Sequence, residues 1–171
     1  MNQSELIKKL RFEFSDMENL VNTYEESVFF KQPHAEKWSA AQNIVHLINS
    51  TKGIASALKD PSVLGTYGKA ERQSSDFETI QNNYRVGLAA FQAKGMPYKH
   101  LDTEGSKENL IQSFKDINQK LVTHAAQLQE ADFDSLQLPH PLLGMMTLRE
   151  MLYFTADHTR HHFDIVKKIN L

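Results

Sequence analysis

Five stretches of this 171-residue chain carry apolar side chains three and four residues apart, and none alternates with the period of two that a half-buried strand requires. The first runs from about Ser4 to Phe30, with Leu6, Leu10, Met17, Val21 and Tyr24 along one side. The second opens at Ser39, with Gln42 three residues on, and fades near Asp60-Pro61. Ser75 and Glu78 repeat that spacing ahead of Ile80, Tyr84 and Leu88, a run that stops at Gly95 before Pro97. The fourth follows Gly105-Ser106 with Leu110, Phe114 and Leu121; the fifth opens at Thr147, with Glu150 three residues on, and continues to the C-terminus. A hydroxyl residue followed three positions later by Glu or Gln is the pattern of a capping box, in which each side chain satisfies a backbone N–H at a helix start. Five amphipathic helices, three of them with such a start, joined by "DPSVLGTYGKAERQS", "EADFDSLQLPHPLLGMM" and shorter links predict an all-α, antiparallel up-down helix bundle in one domain, residues 1–171.

Composition narrows the chemistry. There is no cysteine, so disulfides, thiolate zinc sites, iron–sulfur clusters and a cysteine nucleophile are excluded together. A net charge of −2 without a basic run gives no footprint for nucleic acid or an anionic membrane. The N-terminal stretch is broken by charges every few residues and no long apolar run follows, so a cytoplasmic protein is expected.

The histidines stand out. In "TADHTRHHFDIVKKI" a helical wheel puts His158 and His162 in the middle of the apolar stripe formed by Leu148, Met151, Leu152, Ile165 and Val166. His161 lies about 60° round, at the stripe's edge, as a partly exposed helix histidine. Charged Arg149, Glu150, Asp157, Arg160 and Asp164 take the other side. Residues four apart are neighbours on one face, with Cβ atoms roughly 5–6 Å apart, so two imidazoles leaving them can converge on one cation. Buried without partners, each would leave polar nitrogens unsatisfied. His46, in "NIVHLINS", is the candidate third ligand. Periodicity alone leaves its side open: it shares a small, polar face with Gln42, Ser50 and Gly53, which reads either as solvent-exposed or as the lining of a pocket between helices. His34, His100 and His140 fall in predicted loops, and His124 has no partner at helical spacing.

The pairing of "KWSAAQNIVHLI" with "TLREMLYFTADHTRHHFDIVKKI" resembles the DinB-like superfamily, four-helix-bundle proteins related to the bacillithiol transferases and mycothiol-dependent maleylpyruvate isomerase. The matching features are Trp38-Ser39 at a helix entry, His46 beyond them, and His158 with His162 near the end. The resemblance implies a DinB/YfiT-like four-helix bundle with an additional helix and long connecting loops. It implies a divalent ion, zinc or nickel, on His46, His158 and His162. It also implies an enzyme acting on a small-molecule substrate, with a low-molecular-weight thiol as co-substrate in a thiol S-transferase. A metal-dependent hydrolase and a non-catalytic stress-response or binding module with a structural or vestigial histidine site are the alternatives. Bundles of this kind can form homodimers through an exposed helix face, which the sequence does not identify. No carboxylate shares the face of His158 and His162, so a general base would come from another element.

Overall fold

Two of the anticipated capping boxes form, at Ser39/Gln42 and Thr147/Glu150, and a further one forms at Asn2/Glu5; each starts a 20-residue helix: α1 (Gln3–Asn22), α3 (Ala40–Lys59) and α8 (Leu148–Lys167). The computed structural model describes residues 1–93 and 100–169. Between these helices lie α2 (Glu26–Phe30), α4 (Pro61–Gly65), α5 (Phe77–Ala93), α6 (Lys107–Ala126), α7 (Asp132–Ser135), and the strands β1 (Gln137–His140) and β2 (Gly144–Thr147). Among the described residues no helix is long and apolar enough to cross a membrane.

The bundle is built from α1, α3, α6 and α8, with α5 as the additional helix packed on α8. Successive long helices alternate in direction. Because α5 intervenes, α1 runs alongside α8 in the same sense, with Met1 meeting Tyr153, Glu13 meeting Arg160 and Tyr24 meeting Val166. Helix α3 opposes α8, so the N-terminal half of α3 meets the C-terminal half of α8, with Asn43 at His162 and His46 at His158.

Three expectations need correction. The first helix is not continuous to Phe30. Thr23 caps α1, Glu25 is extended, and α2 begins anew. The break turns Tyr24 inward, where its hydroxyl donates to the Val166 carbonyl at 2.8 Å, and leaves the carbonyls of Asn22 and Tyr24 to accept from Lys107. Apolar spacing runs through the break because both helices bury the same side, so periodicity is blind to it. Second, the cap of α5 is Asp76, whose carboxylate accepts from the Thr79 backbone, while the Ser75 N–H donates to Glu150. The expected stop of this helix at Gly95 and Pro97 lies outside the described residues. Third, the last long loop folds into an antiparallel ribbon, with Leu138 opposite Met146 and His140 opposite Gly144. Gly144 takes φ 72° at its turn, a left-handed conformation that glycine adopts without strain. Four-residue strands are too short to betray themselves by alternation.

Helix α8 is the central post: every residue from Leu148 to Thr159 is buried. The charged residues of that stretch are therefore enclosed, and each of them, like the half-buried Arg160, has a hydrogen-bonding partner. Arg149 donates to Asp134 and Glu130, Arg72 donates to Glu150, Gln81 donates to Asp157, and Arg160 donates to Glu13 and Asp16. On α6, by contrast, the buried Asn118 amide has no hydrogen-bond partner among the described residues.

Candidate metal centre

Helix α8 presents His158 and His162 one turn apart toward α3, and α3 answers with His46 from the second turn after its Ser39 cap. The His158 Nε2 lies 3.1 Å from the Nε2 of His46 and 3.1 Å from the Nε2 of His162. His158 and His162 are buried, and His46 is half-buried. All three residues anticipated in sequence therefore come together, and among the described residues they form the group of histidines and carboxylates with metal-ligand spacing. The exposed reading of His46 is overturned: its face lines a pocket. His34 and His100 are exposed, and His124 lies elsewhere on α6.

Two physical observations bear on whether these residues fit a cation. One nitrogen cannot carry two in-plane hydrogens, so protons satisfy at most one of the two contacts to His158 well; a cation accepts all three lone pairs at once. Nitrogens each about 2.0–2.1 Å from a shared tetrahedral ion lie about 3.4 Å apart, close to the separation found. The second observation concerns Asn43. Its Nδ2 donates to the Ser39 carbonyl at 2.8 Å, which orients the amide so that Oδ1 must accept. The Nδ1–H of His162 donates to that Oδ1 at 2.7 Å. His162 is thereby held in the tautomer whose Nε2 carries a lone pair toward the other two rings, the device by which proteins orient metal-binding imidazoles. The helix cap, the amide and the imidazole form one chain of hydrogen bonds.

Electrostatics agree. Burial, and then the neighbouring imidazoles, holds His158 and His162 well below the usual histidine range, so both are neutral at pH 7 and have lone pairs available. Phe154 stacks on His158 at 4.9 Å and Trp38 lies over His162 at 6.1 Å, each covering one side of a ring.

The trio forms one wall of a cavity of about 750 Å³. His140, read in sequence as a loop residue, sits here on β1, buried, with its ring 4.2 Å from Phe154. The backbone N–H groups of Leu142 and Leu143 donate to its Nδ1, which leaves the proton of the neutral ring on Nε2. Burial pushes its pKa down to about 4, so the ring stays an uncharged donor. His161 is half-buried at the cavity's edge, outside the trio, where burial lowers its pKa against the pull of Asp157. Tyr84 is raised to about 12 by burial and by Asp157, so its hydroxyl keeps its proton. Sequence reading missed Asn43 and His140. The first was signalled only by its place four residues after a cap and three before His46. The second, flanked by prolines, has no periodic neighbours to place it.

These features define a helical bundle with a buried histidine cluster opening onto a ligand-sized cavity. The model of the DinB superfamily matches residues 9–166, and the chain belongs to that superfamily. It is 24% identical over 139 residues to the uncharacterized protein YuaE of Bacillus subtilis (strain 168), covering 81% of both chains. The crystal structure of TT2238, a four-helix bundle protein, superposes with a TM-score of 0.63 at 14% identity, covering 96% of this chain and 98% of that one, which establishes a shared fold.

Proposed function

We propose that the protein is a divalent-metal-dependent enzyme acting on a small molecule, of the thiol S-transferase type, with His46, His158 and His162 holding the ion. The convergence of three imidazole nitrogens at the wall of a ligand-sized cavity carries this reading. Neutral imidazoles suit zinc or nickel. A divalent ion bound by three of them retains its full charge and an open position, and so favours the deprotonated form of a thiol that reaches it.

The chain's own groups supply the rest. Asn43 holds the His162 ring in register through Nδ1–H. Trp38 and Phe154 each cover one side of a ring of the trio. The Nε2–H of His140, fixed by its two backbone contacts, can donate to a polar atom of a molecule in the cavity. No carboxylate lines that cavity among the described residues, so a proton given up by a thiol or a water would pass to solvent or to a histidine such as His161; the preference for thiol transfer over hydrolysis follows from the resemblance to the thiol transferases.

The test begins with metal content of protein purified without a nickel resin. The expected result is about one zinc or nickel per chain, lost in His162→Ala. Unchanged stoichiometry in that variant refutes the ligand assignment. Metal-loaded protein is then incubated with monobromobimane and a panel of thiols; failure of every thiol to react faster than in buffer refutes the transferase activity.

A further inference from the structure

We propose that the cavity beside the histidine trio receives an uncharged, largely apolar molecule that presents a single coordinating end to the trio, and that it rejects thiols bearing several carboxylates. Among the described residues lining it there is no Asp, Glu, Lys or Arg. Its walls are Trp38, Ile54, Tyr84, Leu88, Met151 and Phe154. The polar groups that interrupt them are uncharged. Ser50 already donates its hydroxyl to the Leu47 carbonyl, His140 offers one N–H, and Tyr67, Tyr84, Gln92 and His161 add neutral polar groups. At about 750 Å³ the space is in the range that holds a drug-sized ligand.

The exclusion of charge is spatial. Arg85, Asp157, Arg160 and Asp164 all lie nearby, but they line a separate cavity of about 220 Å³ beyond Tyr84 and His161. Two of them are engaged there: Asp157 accepts from Gln81, and Arg160 is paired with Glu13 and Asp16. Tyr84 and His161 thus form a partition, with charged groups on one side and apolar walls on the other. A carboxylate entering the larger cavity would leave water without a hydrogen-bonded counter-charge, and such burial is penalised heavily. One anionic end can be compensated by the ion; a second meets no charged partner among the described lining residues. The coordinating end of the ligand rests on the metal reading above, while its apolar body does not.

A matched pair of fluorescent probes tests this: neutral N-phenylnaphthylamine and its sulfonated analogue anilinonaphthalenesulfonate, titrated into metal-free protein. Energy transfer from Trp38, the single tryptophan, reports binding in this cavity. The neutral probe should bind roughly thirtyfold more tightly. Leu142→Arg, at the half-buried ribbon turn, should narrow that ratio at least roughly tenfold by giving the sulfonate a partner. Wild-type protein that binds the sulfonate as tightly as the neutral probe, or that binds neither, overturns the proposal; this comparison stands alone if the variant misfolds. A parallel zinc titration separates the two readings. Binding of the neutral probe without zinc binding removes the metal centre and keeps the ligand class, and the reverse outcome does the opposite.

Discussion

Replacing Asn43 by leucine asks whether the metal centre is held by its three rings alone. Asn43 is fully buried, and leucine keeps its branched shape with somewhat greater bulk. The Ser39 carbonyl loses the amide donor but still accepts from the residue-43 backbone at 3.1 Å, so it stays satisfied. The orphaned group is the Nδ1–H of His162, a buried donor whose lost partner costs about 1–3 kcal/mol. Loss of the hydrogen bond that orients a metal-binding imidazole weakens affinity about 10–100-fold, or about 1.4–2.7 kcal/mol, so the two figures agree. Zinc affinity is measured by chelator competition with Trp38 fluorescence as the signal, since that ring lies 4.9 Å from His46. Melting with and without zinc gives an independent reading. Each tenfold loss of affinity removes about 1.4 kcal/mol of zinc-induced stabilisation, which for a chain of this size shrinks the melting shift by roughly 3–6 °C. Asn43→Asp retains the acceptor and should hold affinity within about tenfold of wild type. A folded Asn43→Leu protein that binds zinc within about twofold of wild type would refute the chain of argument from helix cap to imidazole.

Four further outcomes follow from the packing. Desolvation would raise the Glu150 carboxyl, but hydrogen bonds from Arg72, Ser75 and Thr147 outweigh it and hold the pKa below the ordinary 4.5. Its stabilisation is therefore fully present above about pH 4.5 and is lost as pH falls through the lower folded value, so urea midpoints of wild type and Glu150→Gln should differ at pH 7 and converge on acidification; a constant gap counts against this. Asn118→Leu should raise stability by about 1–2 kcal/mol, seen as a higher urea midpoint, because it removes a buried amide that has no partner among the described residues. Gly53→Ala should add about 0.5–1 kcal/mol, since residue 53 is interior to α3 and an added Cβ meets no atom within 4 Å. Gly53→Leu should weaken the neutral probe while leaving zinc affinity unchanged, as its side chain would extend into the cavity.

The helices and the inward aim of His158 and His162 were legible because both are local, periodic properties of one helix. The position of His46 was not. Its own helix buries Ile44 and Leu47 against the bundle, and only the approach of α8 turns its polar side into a site. The interruption at Thr23-Tyr24-Glu25 was hidden for the opposite reason: the apolar rhythm is uninterrupted although the backbone is not. His140 and Asn43 belong to the candidate site through hydrogen bonds to a ribbon turn and to a helix cap, contacts that leave no rhythm in a sequence. The charged side of α8 misled in a milder way. A wheel reports which residues are together and says nothing of whether salt-bridge partners will enclose them, as Asp134 and Arg72 do.

His46 and His158 are 112 positions apart in the chain. A chain growing from its N-terminus lacks the trio until residue 162 has been added, so no early segment offers an ion all three rings as the protein emerges from the ribosome. Helix α8 leaves after the other helices of the bundle, and its arrival completes the core and the trio in a single event. Any free energy an ion contributes on arrival is thus distributed across the entire cooperative structure, and chelation should lower the global unfolding midpoint rather than loosen one corner of the molecule.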